Sequence, residues 1–247
     1  MAEGALRPGA VAFVTGASSG IGEAAVEALV GRGARVVASA RRAERLRALS
    51  ARLGSAVLPF PLDVTDAAAA AALPGSLPAE WREIDIAVCN AGHDLGGRRR
   101  FDRHDPAEAA AIVAANLIGT MGVAQALLPG MIARGRGHLV LIGSQSGVMT
   151  YAGGAAYIAS KWGVHGLAKG LKADLQGTGV RVTEVLPGVV KTEFAAARVH
   201  GDEETAQRFY EGFKEVLLPE DVVRCILFAL EQPLHVNLSE LLIQPSA

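Results

Sequence analysis

The sequence predicts an α/β fold, a single domain built on a doubly wound parallel sheet of about seven strands with helices on both faces. Short apolar runs alternate with helical patterns from one end of the 247-residue chain to the other. Such alternation is typical of a parallel sheet. The strand-like runs are apolar throughout, as strands covered on both faces require.

Each element of this fold has its own segment. The strand-like segments are residues 10–15, 35–40, 56–64, 84–90, 137–144, 180–187 and 240–245. The helical patterns are residues 20–33, 42–53, 66–73, 105–116, 118–134, 155–176 and 219–231. Residues 191–217 break the alternation after the end of a strand, where open α/β sheets bind their ligands. We therefore expect one domain over residues 1–247, with 191–217 as a substrate-binding insertion or lid.

Composition narrows the class of protein. Half of the residues are apolar and the net charge is −1, so we expect neither nucleic acid nor a membrane surface as a partner. Cys89 and Cys225 lie in apolar runs, which favours free thiols and predicts no metal site. We expect no signal segment before the first strand and no apolar run long enough to span a membrane. These features predict a cytoplasmic protein.

A glycine-rich loop joins the first strand to the first helix. Its glycines follow a G-x-x-x-G-x-G spacing. Gly16 permits a tight turn, Gly20 a close approach to a pyrophosphate, and Gly22 close packing of helix and strand. Free N–H groups at the helix start favour an anion. The predicted cofactor contacts in this loop are Gly16, Ser18, Ser19, Gly20, Ile21 and Gly22. Together with the strand and helix around it, the loop predicts a Rossmann-type dinucleotide-binding fold.

The end of the second strand indicates which dinucleotide binds. A carboxylate there would bond the ribose hydroxyls and repel a 2′-phosphate, but the sequence has Ala40 followed by Arg41 and Arg42. Guanidinium groups bind phosphate, so the cofactor is predicted to be NADP(H). The alternative is that both arginines are solvated at a helix start. Asp63 could accept the adenine amino group or cap the helix that begins near Asp66.

Acid–base chemistry is predicted in the long helix 155–176. Tyr157 and Lys161 are four residues apart, which places them on one face of the helix. An adjacent ammonium lowers a phenol's pKa from its usual value of about 10. A phenol so tuned can exchange a proton with a carbonyl oxygen. Ser144 ends the fifth strand, at the sheet edge where a substrate would lie.

With these motifs the chain resembles the classical short-chain dehydrogenase/reductases over nearly its full length. The matching pieces are Thr15–Gly22, Asp63-Val64, Asn90-Ala91-Gly92, Asn116, Ser144, Tyr157/Lys161 and Pro187-Gly188. The resemblance implies that Tyr157 is the general acid/base and that Ser144 holds the substrate oxygen. It implies that Lys161 lowers the pKa of Tyr157 and bonds the nicotinamide ribose. Asn116 would support a water-mediated proton relay.

The same resemblance extends the set of cofactor residues. It implies that Asn90, Ala91 and Gly92 shape the floor of the cofactor site, and that Thr192 and the backbone near Val190 hold the nicotinamide carboxamide. Asp63, Val64, Pro187 and Gly188, together with Tyr157 and Lys161, complete the predicted cofactor-binding residues. Cys89 and Gly143 depart from the usual family residues at their positions.

A narrower resemblance lies in the second half of the chain. Residues 173–183, Thr192-Glu193-Phe194 with Arg198, and Pro219-Glu220-Asp221-Val222 are similar to the NADP-dependent 3-hydroxy acid dehydrogenases. That group includes serine and L-allo-threonine dehydrogenases and sulfoacetaldehyde reductases. The resemblance implies a small 3-hydroxy acid, or a sulfo-alcohol/aldehyde pair, as substrate.

Five side chains are candidates for binding that substrate: Ser144, Tyr151, Arg198, Tyr210 and His93. Arg198 could clamp a carboxylate or sulfonate, or be a surface arginine paired with Glu193 or Asp202. His93 and Asp94 could face the substrate or form an ordinary loop pair. The run 98–100 (Arg-Arg-Arg) is interpreted as solvated rather than as an anion funnel.

Two other functions compete with this prediction. One is a reductase of a neutral ketone, or a dehydrogenase of a secondary alcohol, on the same fold. The other is a non-catalytic NADP(H) sensor, against which the complete acid–base set argues. Helices 118–134 and 155–176 resemble those through which family members associate, so we expect a homotetramer or a homodimer.

Overall fold

A computed structural model describes residues 4–246 as a seven-stranded, all-parallel sheet. The strands are β1 (Val11–Thr15), β2 (Arg35–Ala40), β3 (Val57–Pro61), β4 (Ile84–Cys89), β5 (Gly137–Ile142), β6 (Val180–Pro187) and β7 (Glu240–Ile243). Their order is β3-β2-β1-β4-β5-β6-β7. The order reverses between β1 and β4, and open sheets of this kind bind ligands beside such a switch point. The predicted fold class is confirmed.

Helices cover both faces of the sheet. They are α1 (Gly20–Gly31), α2 (Ala43–Leu53), α3 (Ala67–Ser76), α4 (Pro106–Val113), α5 (Gly119–Ala133), α6 (Ala155–Asp174), α7 (Phe194–Arg198), α8 (Glu203–Glu211) and α9 (Pro219–Leu230). The alternation of side chains along β1 divides the core into two clusters. Ala12 and Val14 face the cluster that includes residues of α1, α2 and α9, whereas Val11 and Phe13 face that of α3, α5 and α6.

One prediction fails between β4 and β5. The break expected between residues 116 and 118 is absent, and a π-helical turn, Ala114–Ile118, connects α4 to α5. A π turn inserts an extra residue without ending the helix, and such turns often occur at functional sites. Here it contains Asn116, which is 1% exposed. The predicted third strand is also too long, because Asp63 accepts the backbone N–H of Thr65 in a turn.

The expectation about apolar runs was also wrong. Pro106–Ala133 is one helix whose length and composition would suffice to cross a membrane. Half of its most apolar window is buried inside the protein, where Val123, Leu127 and Met131 belong to the core around β4 and β5. Packing against the sheet explains the buried half of this apolar surface.

The insertion after β6 is closed at its base. Val190 and Leu217 form a parallel bridge, in which Lys191 N–H donates to Leu217 O at 2.8 Å. Between them, α7 and α8 form a small helical layer above the carboxyl ends of the strands. This bridge lies at the two ends of the segment 191–217, whose role as a substrate-binding lid remains a prediction.

Candidate active site

A cleft of about 840 Å³ opens at the carboxyl ends of the strands, under the insertion. Nearly all of the predicted site residues line it. Those residues are Gly16, Ser18, Ser19, Gly20, Ile21, Arg41, Arg42, Asp63, Val64, Asn90, Ala91, Gly92, His93, Ser144, Tyr151, Tyr157, Lys161, Pro187, Gly188, Val190, Thr192, Arg198 and Tyr210. Gly22 and Asn116 lie behind its surface.

The glycine loop has the conformation that its spacing predicts. Gly16 and Gly20 adopt positive φ values of 66° and 55°, which only glycine adopts without strain. A side chain on Gly22 would overlap the carbonyl oxygen of Gly16, and one on Gly20 would press against Thr192. The loop therefore forms a cradle of backbone groups at the start of α1, as a bound pyrophosphate requires.

Three arginines gather beside the glycine loop. Arg42 donates to the hydroxyls of Ser18 and Ser19, at 3.0 and 2.6 Å. Arg42 and Arg45 both pair with Glu193 of the insertion, at 2.8 and 2.6 Å. Arg41 is exposed and lines the cleft. The sequence reasoning missed Arg45, whose approach to this cluster depends on α2 lying beside the insertion.

Tyr157 lies at the opposite end of the cleft and is 8% exposed. Its ring packs edge-on against Phe194 of α7, with 5.7 Å between centroids. Burial raises the pKa of the Tyr157 phenol, whereas hydrogen bonding with the Ser144 hydroxyl acts to lower it. The phenol is thus held protonated beside a serine hydroxyl, and the two groups can approach one oxygen atom together.

Lys161 is buried one helical turn beyond Tyr157. Its ammonium donates to Ile142 O at 2.9 Å and lies 5.8 Å from the centre of the Tyr157 ring. Burial lowers the pKa of Lys161 to about 8, and the carboxylate of Glu184 opposes this shift. The ammonium is bonded to a strand carbonyl and not to the Tyr157 hydroxyl. That Lys161 lowers the pKa of Tyr157 therefore stays a prediction.

The side chain of Asn116 is fully engaged within the fold. Its amide donates to His93 O at 2.9 Å and to Ser160 Oγ at 3.0 Å, and its oxygen accepts the His93 N–H at 2.8 Å. Its backbone carbonyl accepts the Thr120 hydroxyl at 2.8 Å. Asn116 therefore connects the π turn, the segment after β4 and α6 behind the cleft.

The end of the cleft that holds Tyr157, which we call the substrate end, contains a buried ion pair. Arg198 Nε lies 2.7 Å from Asp94 Oδ2, and their side chains are 10% and 6% exposed. The partner of Arg198 is thus Asp94, rather than either of the acids nearest to it in sequence. Nη1 of Arg198 is buried without a hydrogen-bond partner among the described residues. The guanidinium can therefore still donate to an anion in the cleft.

Two predicted substrate residues have more specific surroundings than the sequence indicated. The Tyr210 hydroxyl donates to Thr192 O at 2.9 Å and accepts the Thr192 N–H at 3.1 Å, so it holds the segment that follows β6. The pKa of His93 is lowered by burial and by the charge of Arg41, and Asp63 opposes this shift. The imidazole thus lies near the charges of Arg41 and Asp63, at the end of the cleft beside the glycine loop, which we call the arginine end.

Three aromatic residues of the insertion were not predicted as site residues. Phe194, Phe209 and Phe213 line the cleft, and the Arg198 guanidinium lies 5.5 Å from the ring centroid of Phe194 and 4.9 Å from that of Phe209. The aromatic content of the insertion was visible in the sequence, but which of its faces points inward depends on how α7 and α8 fold back.

Comparison with known proteins gives consistent results. The family described as short chain dehydrogenase matches residues 10–203. The NADP-dependent 3-hydroxy acid dehydrogenase YdfG of Salmonella typhi is 40% identical over 242 residues, which are 95% of this chain and 94% of that protein. Serine 3-dehydrogenase of Rhizobium radiobacter is 36% identical over 94% of this chain and 92% of its own.

Solved structures agree with the sequence comparisons. The closed form of serine dehydrogenase complexed with NADP+ superposes with a TM-score of 0.91 at 38% identity, over 94% of each chain. The match extends over nearly the whole fold. The chain belongs to the short-chain dehydrogenase family of oxidoreductases.

Proposed function

We propose that this protein is an NADP(H)-dependent oxidoreductase that transfers a hydride between the nicotinamide and a small 3-hydroxy acid or sulfo-alcohol/aldehyde. The observation that carries the substrate class is the Arg198 guanidinium. It is nine-tenths buried in the same cleft as Tyr157, and one of its nitrogens has no partner among the described residues. Relatives that act on 3-hydroxy acids and serine support this choice.

The residues of the cleft fit NADP(H). The glycine cradle suits a pyrophosphate, and Arg41, Arg42 and the Ser18 hydroxyl offer donors for a 2′-phosphate beside it. Ala40 leaves the end of β2 without a carboxylate to repel that phosphate. Thr192 and Val190, held by Tyr210, form the wall for the carboxamide. When bound, NADP(H) supplies or accepts the hydride.

The residues at the substrate end of the cleft transfer the proton. Tyr157 donates its hydroxyl proton to the substrate carbonyl oxygen in reduction and removes it in oxidation. Ser144, adjacent to the phenol, donates a hydrogen bond to the same oxygen and fixes its position. Lys161 keeps a positive charge behind the phenol, which favours the phenolate formed in reduction. Asn116 would support a water-mediated proton relay to Lys161 through the second lone pair of its backbone carbonyl, because its side chain is occupied and that carbonyl also accepts the Thr120 hydroxyl.

The test of the substrate class compares acidic and neutral substrates of equal size. Arg198→Ala is assayed with 3-hydroxypropanoate, L-serine and 2-hydroxyethanesulfonate, and with neutral 3-hydroxypropanamide, by following NADPH absorbance. We expect kcat/KM for the acidic substrate to fall at least tenfold, about 1.4 kcal/mol of transition-state binding, with little change for the amide. Equal losses on both would favour the neutral ketone or alcohol, to which the aromatic walls Phe194 and Phe209 would also be suited.

We also propose that the protein assembles as a homotetramer in the cytoplasm, with a homodimer as the simpler alternative. The helices expected to associate expose large apolar side chains: Ile118, Met121 and Trp162 are 53%, 43% and 47% exposed. Free Cys89 and Cys225 suit a reducing compartment. Light scattering after size-exclusion chromatography should give four times the chain mass of 25.5 kDa. A Trp162→Glu variant should shift the mass downward.

A further inference from the structure

The loop that follows β4 places Arg98 at the mouth of the cleft. Backbone hydrogen bonds fix the loop on both sides of this residue: Gly97 N–H donates to Arg198 O at 3.1 Å, and Arg99 N–H donates to Gly153 O at 3.2 Å. The first bond joins the loop to the insertion, and the second joins it to the segment before α6. Arg98 therefore spans the two sides of the substrate end.

Aromatic rings hold the Arg98 guanidinium over the cleft. It lies 4.7 Å from the ring centroid of Tyr151 and 5.4 Å from that of Phe209. Arg198 contacts the same Phe209 ring at 4.9 Å. The two guanidinium groups thus share one aromatic ring, although they come from segments a hundred residues apart. Stacking on a ring uses the face of a guanidinium and leaves its in-plane N–H groups available to an anion.

The charges of these two arginines are balanced differently. Arg198 is paired with the buried Asp94. Arg98 forms no ion pair with any residue between 4 and 246. Burial raises the pKa of Asp94, and the charge of Arg98 is near enough to oppose that rise, after the larger effect of Arg198. Glu203, at the start of α8, also lines the cleft but forms no ion pair with Arg98. The positive charge at the mouth that is available to a ligand is therefore that of Arg98.

The neighbouring arginines lack these features. Arg100 pairs with Asp102 at 2.6 Å and its side chain is 74% exposed. Arg99 and Arg100 are not among the residues that line the cleft, whereas Arg98 is. The run of three arginines is therefore not a uniform solvated segment, because only its first member is turned toward the site.

We infer that Arg98 is a specificity-determining residue, which attracts and retains the anionic group of the substrate while Arg198 orients it. This inference rests on the proposed function, because it takes the substrate to be a small monoanion. An exposed charge that contributes equally to substrate and transition-state binding changes KM and leaves kcat unchanged. The buried, ion-paired Arg198 fixes geometry, so its loss affects kcat as well.

The test uses Arg98→Ala and Arg98→Gln, with Arg99→Ala as the matched control from the same run. For 3-hydroxypropanoate we expect KM to rise roughly two- to fivefold, the upper part of the range for one exposed charge contact, with kcat within about twofold of the parent. For 3-hydroxypropanamide, and for NADPH affinity measured by cofactor fluorescence, we expect no change. Since salt screens exposed charges, the KM difference should shrink as the ionic strength is raised.

The outcomes separate this inference from the proposed function. It is overturned if Arg98→Ala and Arg99→Ala have the same KM for the acid, or if the amide is affected as much as the acid. If Arg198→Ala discriminates acid from amide while Arg98→Ala does not, the proposed function stands and the role of Arg98 is rejected. If neither variant discriminates, both are rejected. Arg98→Gln, which keeps a planar polar group without the charge, should behave like Arg98→Ala.

Discussion

Asn116 holds the backbone of His93 from both sides, accepting its N–H at 2.8 Å and donating to its carbonyl at 2.9 Å. The side chain thereby replaces the strand partner that the chain loses when it leaves β4. The π turn presents Asn116 to this segment, and Ser160 of α6 accepts the second amide proton. One buried amide thus fixes the floor of the cleft, between the arginine end and Tyr157.

The first prediction concerns this amide. Asn116→Ala leaves the N–H and the carbonyl of His93 without their partner, whereas the Ser160 hydroxyl keeps its hydrogen bond to Tyr157 O. A buried polar group left unpaired costs about 1–3 kcal/mol, so the free energy of unfolding should fall by at least about 1 kcal/mol. Urea unfolding followed by circular dichroism measures the loss. Unchanged stability together with normal turnover would show that water replaces the amide and that the floor does not depend on it.

Tyr157→Phe tests the acid–base group. The variant keeps the ring that packs against Phe194 and loses only the hydroxyl. We expect NADPH binding to be retained and the rate to fall about 10²–10⁴-fold, the usual contribution of a positioned acid or base. Cofactor fluorescence reports binding and steady-state absorbance reports turnover. Near-normal turnover would rule out the proposed proton transfer.

Cofactor preference is tested with Arg41→Ala. If Arg41 contacts the 2′-phosphate, the loss of a charged hydrogen bond worth about 1.5–3 kcal/mol should raise KM for NADP(H) at least tenfold and leave that for NAD(H) nearly unchanged. Arg47→Ala is the matched control, because Arg47 lies on the exposed side of α2 and its one ion pair within residues 4–246 is with Glu44. An unchanged ratio of the two cofactors in Arg41→Ala would exclude Arg41 from the phosphate site.

His138 makes the folded protein sensitive to acid. It is fully buried in β5, where its Nε2 contacts Thr183 Oγ1 at 2.8 Å, and burial lowers the pKa of His138 to about 3. In the unfolded chain it titrates near about 6.5, so below that pH the unfolded state binds a proton that the folded state excludes. Stability is therefore full above pH 6.5 and falls toward pH 3, by up to about 1.4 kcal/mol per pH unit.

The measurement is urea unfolding between about pH 7.5 and 4.5, because other groups begin to titrate at lower pH. In His138→Gln the amide can keep the contact with Thr183. The loss of unfolding free energy per pH unit should be smaller in this variant by the contribution of one proton, up to about 1.4 kcal/mol. His235→Gln serves as the control, because His235 is exposed and its replacement should leave the pH dependence as it is. Identical slopes for the parent and His138→Gln would contradict the assignment.

Local patterns predicted the parts of the site that a short stretch of chain can specify. The glycine spacing from Gly16 to Gly22 determines a turn, because positive φ and close packing are properties of a few adjacent residues. The separation of Tyr157 and Lys161 determines that they share a helix face, because the helical period is local. The alternation of apolar runs likewise predicted the sheet and the helices on both of its faces.

Pairings between distant segments were decided by the tertiary structure. The contacts of Arg198 with Asp94, of Arg42 with Glu193, and of Arg98 with Phe209 join segments about a hundred residues or more apart. Each depends on how the insertion folds back over the sheet. The same holds for the π turn at Asn116, which differs from a helix break only in packing.

The sequence alone determined the fold class, the cofactor loop and the Tyr157/Lys161 pair, since these follow from local geometry. Only the tertiary structure decided which charges meet in the cleft, because side chains from separate elements become neighbours only when the elements pack.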